Sequence, residues 1–190
     1  MDEFAHLHVA SGFSMRYGAA MPEALVERAA QHGQPFLALT DRDGLYGAVR
    51  FVRAAAAAGI TPVLGVDLAV EQPASPSSRS RPSRTPVRGG ALVDPRLPRV
   101  TVLAVGAAGG VAHGAGWAVL CRLVTETHLR GERGTPVATA DLIARYAARS
   151  PDQHPAPDQR DHPARLVVLL GPDSDVGRAV LAGRRDRAET

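Results

Sequence analysis

Two histidines near the start of the chain are the most distinctive chemical feature of the sequence. His6 and His8 lie in the segment F-A-H-L-H-V-A-S, which is predicted to form a strand over residues 6–9. Side chains two residues apart on a strand point to the same face, so the two imidazoles could share a divalent cation. Two half-buried histidines without a metal are the commoner outcome of this spacing. The pair therefore predicts a metal site only together with further ligands.

Two aspartates could supply those ligands. Asp41 follows a predicted strand over residues 36–40, and Asp67 lies at the end of another over residues 62–68. A predicted helix joins the strands into a βαβ unit, in which functional residues gather at the carboxyl ends of the strands. Each aspartate also has plainer interpretations. Asp41 suits a turn or a helix cap, Asp67 suits a solvated strand end, and either could form an ion pair.

Other reactive side chains have structural interpretations. Asp43 and Gly44 are typical of a turn, and His128, near a helix end, is predicted to face solvent. Cys121 lies on the apolar stripe of a helix and is predicted to be a core residue.

The elements that position these residues alternate between short apolar strands and amphipathic helices. Strands are predicted over residues 6–9, 36–40, 62–68, 99–105 and 166–170. Helices are predicted over residues 22–32, 45–58, 117–128, 140–149 and 174–182. This order predicts an α/β fold with mainly parallel strands.

Two stretches without hydrophobic periodicity divide the chain. Residues 71–98 are rich in proline, serine and arginine and are predicted to form a flexible loop, and residues 150–164 are predicted to form a second loop. The first loop could contact a polyanion, and the alternative is a solvated linker. Residues 1–70 and 99–149 are then two parts of one domain. Residues 165–190 add a last strand and helix.

Composition limits the classes of function. The chain has 190 residues, 45% of them hydrophobic, and a formal net charge of +3. All its basic residues are arginines, with no lysine or asparagine, a bias typical of a GC-rich genome. Six of the arginines fall within residues 71–99, so the remainder is nearly neutral and a general nucleic-acid-binding face is not indicated. One cysteine, no signal peptide and no long apolar run predict a cytoplasmic protein without a disulfide or membrane span.

Three motifs together resemble a known family. They are the F-A-H-L-H segment, A-L-T-D-R-D-G-L-Y-G-A-V-R-F at residues 38–51, and I-T-P-V-L-G-V-D at residues 60–67. Their order and spacing are similar to those of the PHP domain at the N-terminus of bacterial family C DNA polymerases, the DNA polymerase III alpha type. The sequences of these motifs are most similar to those of the error-prone branch. The likeness extends over roughly residues 4–181.

This resemblance implies a partial or distorted (β/α) barrel whose strand ends hold up to three metal ions, with phosphodiester hydrolysis in some members. His6, His8, Asp41 and Asp67 match ligand or ligand-adjacent positions of the family. Four other expected ligands are replaced, and the replacing residues are Ala10, Tyr17, Arg42 and Arg99. Arginine cannot ligate a cation and would repel one. The resemblance therefore implies a remnant metal site, with Arg42 and Arg99 as candidates to replace the metal charge.

The sequence as a whole predicts a truncated PHP-type domain with a structural or interaction role in DNA replication or error-prone repair synthesis. The 190-residue chain by itself is expected to be inactive and to need no cofactor. Its expected partners are the polymerase remainder of the chain or replication proteins, with DNA contacted indirectly and no membrane. One alternative is a phosphoesterase or proofreading nuclease holding zinc, manganese or magnesium in a reduced site. Another is an arginine-rich nucleic-acid-binding module.

Overall fold

The structure is a computed structural model, and it describes residues 4–71, 97–105, 115–130, 136–148 and 165–188. The predicted loop at residues 71–98 lies almost entirely outside these ranges, and the loop at residues 150–164 lies wholly outside them. The proposed division of the chain at those loops stays a prediction.

Four strands and six helices form the described part of the chain. The strands are β1 (Phe36–Leu39), β2 (Thr61–Ala69), β3 (Arg99–Ala104) and β4 (Leu166–Leu169). The helices are α1 (Pro22–Gln31), α2 (Ala48–Ala58), α3 (Ala115–Arg130), α4 (Ala140–Ala147), α5 (Asp175–Leu181) and α6 (Arg185–Ala188). The α/β class is therefore confirmed. No helix within the described ranges is long and apolar enough to span a bilayer.

Local sequence signals explain where several helices begin and end. Pro22 occupies the first turn of α1, where a missing N–H costs nothing. Gly59 ends α2 in the left-handed conformation with a φ of 70°, which glycine adopts without strain. Thr139 and Ser174 cap α4 and α5, because each side chain accepts a backbone N–H of the first turn.

The four strands form an open sheet in the order β1-β2-β3-β4. β1 and β2 are parallel and joined through α2, which is the expected βαβ unit. β2–β3 and β3–β4 are antiparallel, so the sheet is mixed and contains more antiparallel pairing than the expected mainly parallel arrangement. The expected partial barrel corresponds, in the described residues, to this open sheet.

Two predicted elements differ from the structure. The strand expected over residues 6–9 is reduced to one bridge between His6 and Leu37. Ala38 N–H bonds to the His6 carbonyl and Thr40 N–H to the Val9 carbonyl, so four residues on one side face three on the other and the ladder loses register. The second helix begins at Ala48, because residues 44–47 form a loop and turn first.

Apolar side chains form two cores that hold the sheet against the helices. One core contains Val66, Leu68, Val100 and Val102 of the central strands, packed against α3 and α4. The other joins α1, α2 and β1 around Phe51, which is completely buried. The opposite face of β2 and β3 carries the polar residues of the candidate site.

Candidate functional site

The candidate site lies on one face of the central strands. Asp67 of β2 is opposite Thr101 of β3, and Thr101 is opposite Leu169 of β4, so their side chains share a face. Arg99 precedes Thr101 by two residues and points to the same side. Arg42 forms a parallel bridge with Asp67 just beyond the end of β1.

Arg99 is the centre of this site. Its Nε donates to Asp67 Oδ2 at 2.8 Å, and its Nη2 donates to Asp43 Oδ1 at 2.9 Å and to the Asp67 carbonyl at 2.7 Å. Arg99 is 4% exposed, and both aspartates are buried as well. A buried guanidinium is thus held by two buried carboxylates with directed, charge-assisted hydrogen bonds.

Burial and the two carboxylates act in opposite directions on the pKa of Arg99. Desolvation lowers the pKa, but the charges and hydrogen bonds of Asp43 and Asp67 outweigh it and raise the pKa above its ordinary value. The guanidinium therefore keeps its positive charge inside the protein.

Arg42 is a second, weaker member of the site. Its Nη1 lies 3.7 Å from Asp67 Oδ2, and its guanidinium stacks 3.7 Å from the centre of the Tyr17 ring. Burial lowers the pKa of Arg42, and the charge of Arg99 lowers it further, against the attraction of Asp67. Two guanidiniums thus lie close enough to repel each other while sharing one carboxylate.

The carboxylate of Asp41 binds the loop that precedes α1. Its carboxylate accepts the N–H and the hydroxyl of Ser11 and the hydroxyl of Ser14, at 2.7 to 3.0 Å. Within the described residues these partners are all neutral, and the side chain of Asp41 caps no helix and pairs with neither arginine. Asp41 is 2% exposed and fastens the loop before α1 to the end of β1.

The rings of His6 and His8 contact different residues. His8 Nδ1 lies 2.6 Å from Thr101 Oγ1, so its ring lies on the same face of the sheet as Asp67. The ring of His6 packs edge-on against the ring of Phe4, with 4.8 Å between the ring centres. Both histidines are exposed. Among the residues that the structure describes, no group of three or more His, Cys, Asp or Glu side chains is placed to hold a metal ion.

Sequence reasoning missed two members of the site. Asp43 adopts a turn conformation, with a φ of 55°, but its carboxylate is buried and binds Arg99 and the N–H of Ala69. His128 was expected in solvent, yet its Nε2 lies 2.5 Å from the Asp43 carbonyl. The D-G pair signalled only the turn, because the partners of Asp43 and His128 are distant in sequence.

Three buried atoms at the site have no hydrogen-bond partner in the part of the chain that the structure describes: Asp67 Oδ1, Arg99 Nη1 and Arg42 Nε. Each buried polar atom without a partner costs free energy. The ion network therefore leaves one carboxylate oxygen and two arginine nitrogens unsatisfied within the described structure.

Known proteins that resemble this chain include error-prone DNA polymerases. That of Symbiobacterium thermophilum is 40% identical over 183 residues, covering 96% of this chain and 13% of the polymerase. That of Mycolicibacterium paratuberculosis is 38% identical over 145 residues, covering 76% of this chain and 11% of the polymerase. The chain thus spans little more than a tenth of the length of these relatives.

Comparisons of structure and of family pattern add two findings. An amidohydrolase from Chromobacterium violaceum, solved with sulfate and no metal, aligns with 66% of this chain and 33% of its own, at a TM-score of 0.40 and 23% identity. The pattern of the PHP domain matches residues 6–189, nearly the whole sequence. The chain therefore belongs to the PHP domain family.

Proposed function

We propose that this chain is the PHP domain of an error-prone-type DNA polymerase, in which an arginine network replaces metal ions and the domain serves a structural and interaction role. The relatives that support the polymerase context are named error-prone DNA polymerases. On this proposal DNA is contacted through the rest of the polymerase, and the domain works in the cytoplasm.

The observation that carries the proposal is the position of Arg99. Its guanidinium lies between Asp67 and Asp43, at 2.8 and 2.9 Å, inside the protein. Carboxylates gathered at strand ends repel one another unless a positive charge stands between them. A fixed guanidinium supplies that charge and makes directed hydrogen bonds, so the site needs no cation to hold together.

The residues present do not fit a divalent metal ion. Asp67 Oδ2 is bound by Arg99, and both oxygens of Asp41 are bound by serines. Among the residues that the structure describes, Asp67 Oδ1 is the one oxygen of these two carboxylates without a partner, and the neighbouring guanidiniums would repel a cation that approached it. We therefore assign no metal-dependent step to this chain.

An activity assay with matched variants tests the non-catalytic role. The purified chain should hydrolyse neither a phosphodiester nor a phosphomonoester model substrate when zinc, manganese or magnesium is added. His8→Ala and His32→Ala form a matched pair, because both histidines are exposed and only His8 lies at the site. Metal-stimulated turnover that is lost in His8→Ala and retained in His32→Ala would establish the phosphoesterase alternative.

A further inference from the structure

The outer edge of β4 is an open edge of the sheet in the part of the chain that the structure describes. β4 pairs with β3 on one side, and the strand order ends there. The opposite edge differs, because the segment before α1 contacts it through the bridge between His6 and Leu37. An open edge presents unpaired N–H and C=O groups, which can pair with another strand.

The register of β3 and β4 determines which backbone groups point outward. Val105 N–H donates to the Arg165 carbonyl at 2.9 Å, at one end of this pairing. In antiparallel strands, residue pairs that exchange hydrogen bonds alternate with pairs that do not. Every second residue from Arg165 onward therefore bonds to β3. The backbone groups of the residues between them point away from β3, and these residues are Leu166, Val168 and Leu170.

The outward-pointing residues are symmetrical about Val168. Their order is leucine, valine, leucine, so the edge presents the same sequence when it is read in either direction. In an antiparallel pairing with a second copy of the chain, Val168 lies opposite Val168 of the second copy. Leu166 then lies opposite Leu170, and each of these pairs can exchange both of its backbone hydrogen bonds. The edge is therefore complementary to itself.

This register also matches the apolar side chains. Leu166 and Val168 belong to the core under α3 and α4, and residues that lie opposite each other share a face of the sheet. The core side of one copy would thus continue into the core side of the other. Leu170 is 57% exposed and Val167 is 42% exposed. The pairing would remove both side chains from water, which favours association.

Charges at the two ends of β4 favour the same antiparallel arrangement. Arg165 precedes the strand, and Asp173 follows it at an exposed position. Antiparallel pairing brings Arg165 of one copy to the end of the strand where Asp173 of the other copy lies, and the symmetry repeats this contact. A parallel pairing would instead place like charges together. The edge is therefore electrostatically complementary to itself as well.

We propose that two copies of this chain associate through their β4 edges, around a two-fold axis at Val168, so that the two sheets become one. The same patch of each copy forms the interface, as a closed two-fold dimer requires. The pairing uses no residue of the ion network. It therefore does not depend on the proposed function.

Sedimentation velocity of the 190-residue chain, at concentrations from about 1 to 100 µM, tests the proposal. A reducing agent excludes a disulfide through Cys121, the single cysteine. The mass should rise from that of one copy to that of two. Leu170→Lys should raise the dissociation constant of the dimer at least about tenfold, because a charge at a strand edge opposes pairing. Leu181→Lys is the matched control, since Leu181 is 77% exposed on α5 and its replacement should leave the dimer unchanged.

Val168→Pro tests the backbone pairing itself. Proline lacks the N–H that points outward at this position, and that N–H takes no part in the pairing with β3, so the chain should still fold. The variant should be monomeric at concentrations where the unchanged chain is dimeric. Thermal unfolding of Val168→Pro and Leu170→Lys, followed by circular dichroism, shows that both remain folded.

Exchange of charges tests the two-fold arrangement. Arg165→Asp and Asp173→Arg should each weaken the dimer several-fold when measured alone, because each places like charges at both ends of the paired strands. An equal mixture of the two variants should dimerise as the unchanged chain does, since opposite charges then meet at both ends. A mixture no more associated than either variant alone would contradict this register.

Two results would overturn the proposal as a whole. One is a chain that stays monomeric over the full concentration range, which is also the result if a segment of the same chain pairs with β4. The other is a dimer that persists in folded Leu170→Lys and Val168→Pro. A dimer lost in Leu181→Lys and retained in Leu170→Lys would place the interface on α5 and would overturn the proposal in the same way.

Discussion

Arg99 is the residue on which the site depends most. Removing its side chain strands two buried carboxylates, those of Asp43 and Asp67, without any positive charge between them. Arg42 cannot take over this role, because it reaches only Asp67, and at 3.7 Å.

Arg99→Met should therefore lower the free energy of unfolding by about 3 to 5 kcal/mol, the usual cost of removing one partner of a buried ion pair. Urea melts at neutral pH measure this change. Arg50→Met is the matched control, since Arg50 forms an equally short pair with Glu23 at an exposed surface and its loss should change the melt little. Equal effects of the two variants would contradict a central role for Arg99.

Arg42→His introduces the histidine that the resemblance to the family implies at this position, and it tests whether a metal site then forms. It should lower the free energy of unfolding by about 1 to 3 kcal/mol, because a partner of the buried Asp67 is lost. On the proposed function metal binding should not appear, since Ala10, Tyr17 and Arg99 still lie where the resemblance to the family implies ligands. Arg42→Met is the control for the loss of charge alone. Unchanged denaturation midpoints in both variants would show that Arg42 is an ordinary surface residue.

At the scale of elements, periodicity and terminators in the sequence predict most helices and strands to within a few residues. Pro22, Gly59 and Thr139 act locally, so their effect can be read from the sequence alone. The antiparallel pairing of β2 with β3 could not be predicted in this way, because residues 70–98 separate the strands and no local signal in them fixes a direction. The burial of Asp43 could not be predicted for a related reason, since it depends on a contact with Arg99, which is 56 residues away in the sequence.

Gly65 shows how closely the central strands pack. A Cβ at this position would lie 2.6 Å from Leu103 Cδ2 and 2.7 Å from the Val102 carbonyl oxygen. Gly65→Ala should therefore lower the free energy of unfolding by about 1 to 3 kcal/mol through overpacking. Gly171→Ala is the control, because an added Cβ there meets nothing within 4 Å. Equal denaturation midpoints for the two variants would show that β2 and β3 are packed more loosely than described.

At the scale of the whole molecule, two cores and a buried ion network hold the described residues together. One core lies under α3 and α4 and the other under α1 and α2. The network of Arg99, Asp67 and Asp43 joins β2, β3 and the loop after β1. A polypeptide built in this way carries its own positive charge where the resemblance to the family implies metal ions.

Thermal unfolding of the chain with and without metals tests this central claim most directly. We expect the same unfolding midpoint in EDTA and in an excess of zinc, manganese or magnesium, because the carboxylates are already neutralised by arginine. A metal bound to the native site at about a hundred times its dissociation constant would instead add roughly 2.7 kcal/mol of stability. A midpoint that rises by several degrees with metal, and no longer rises in His8→Ala, would contradict the account.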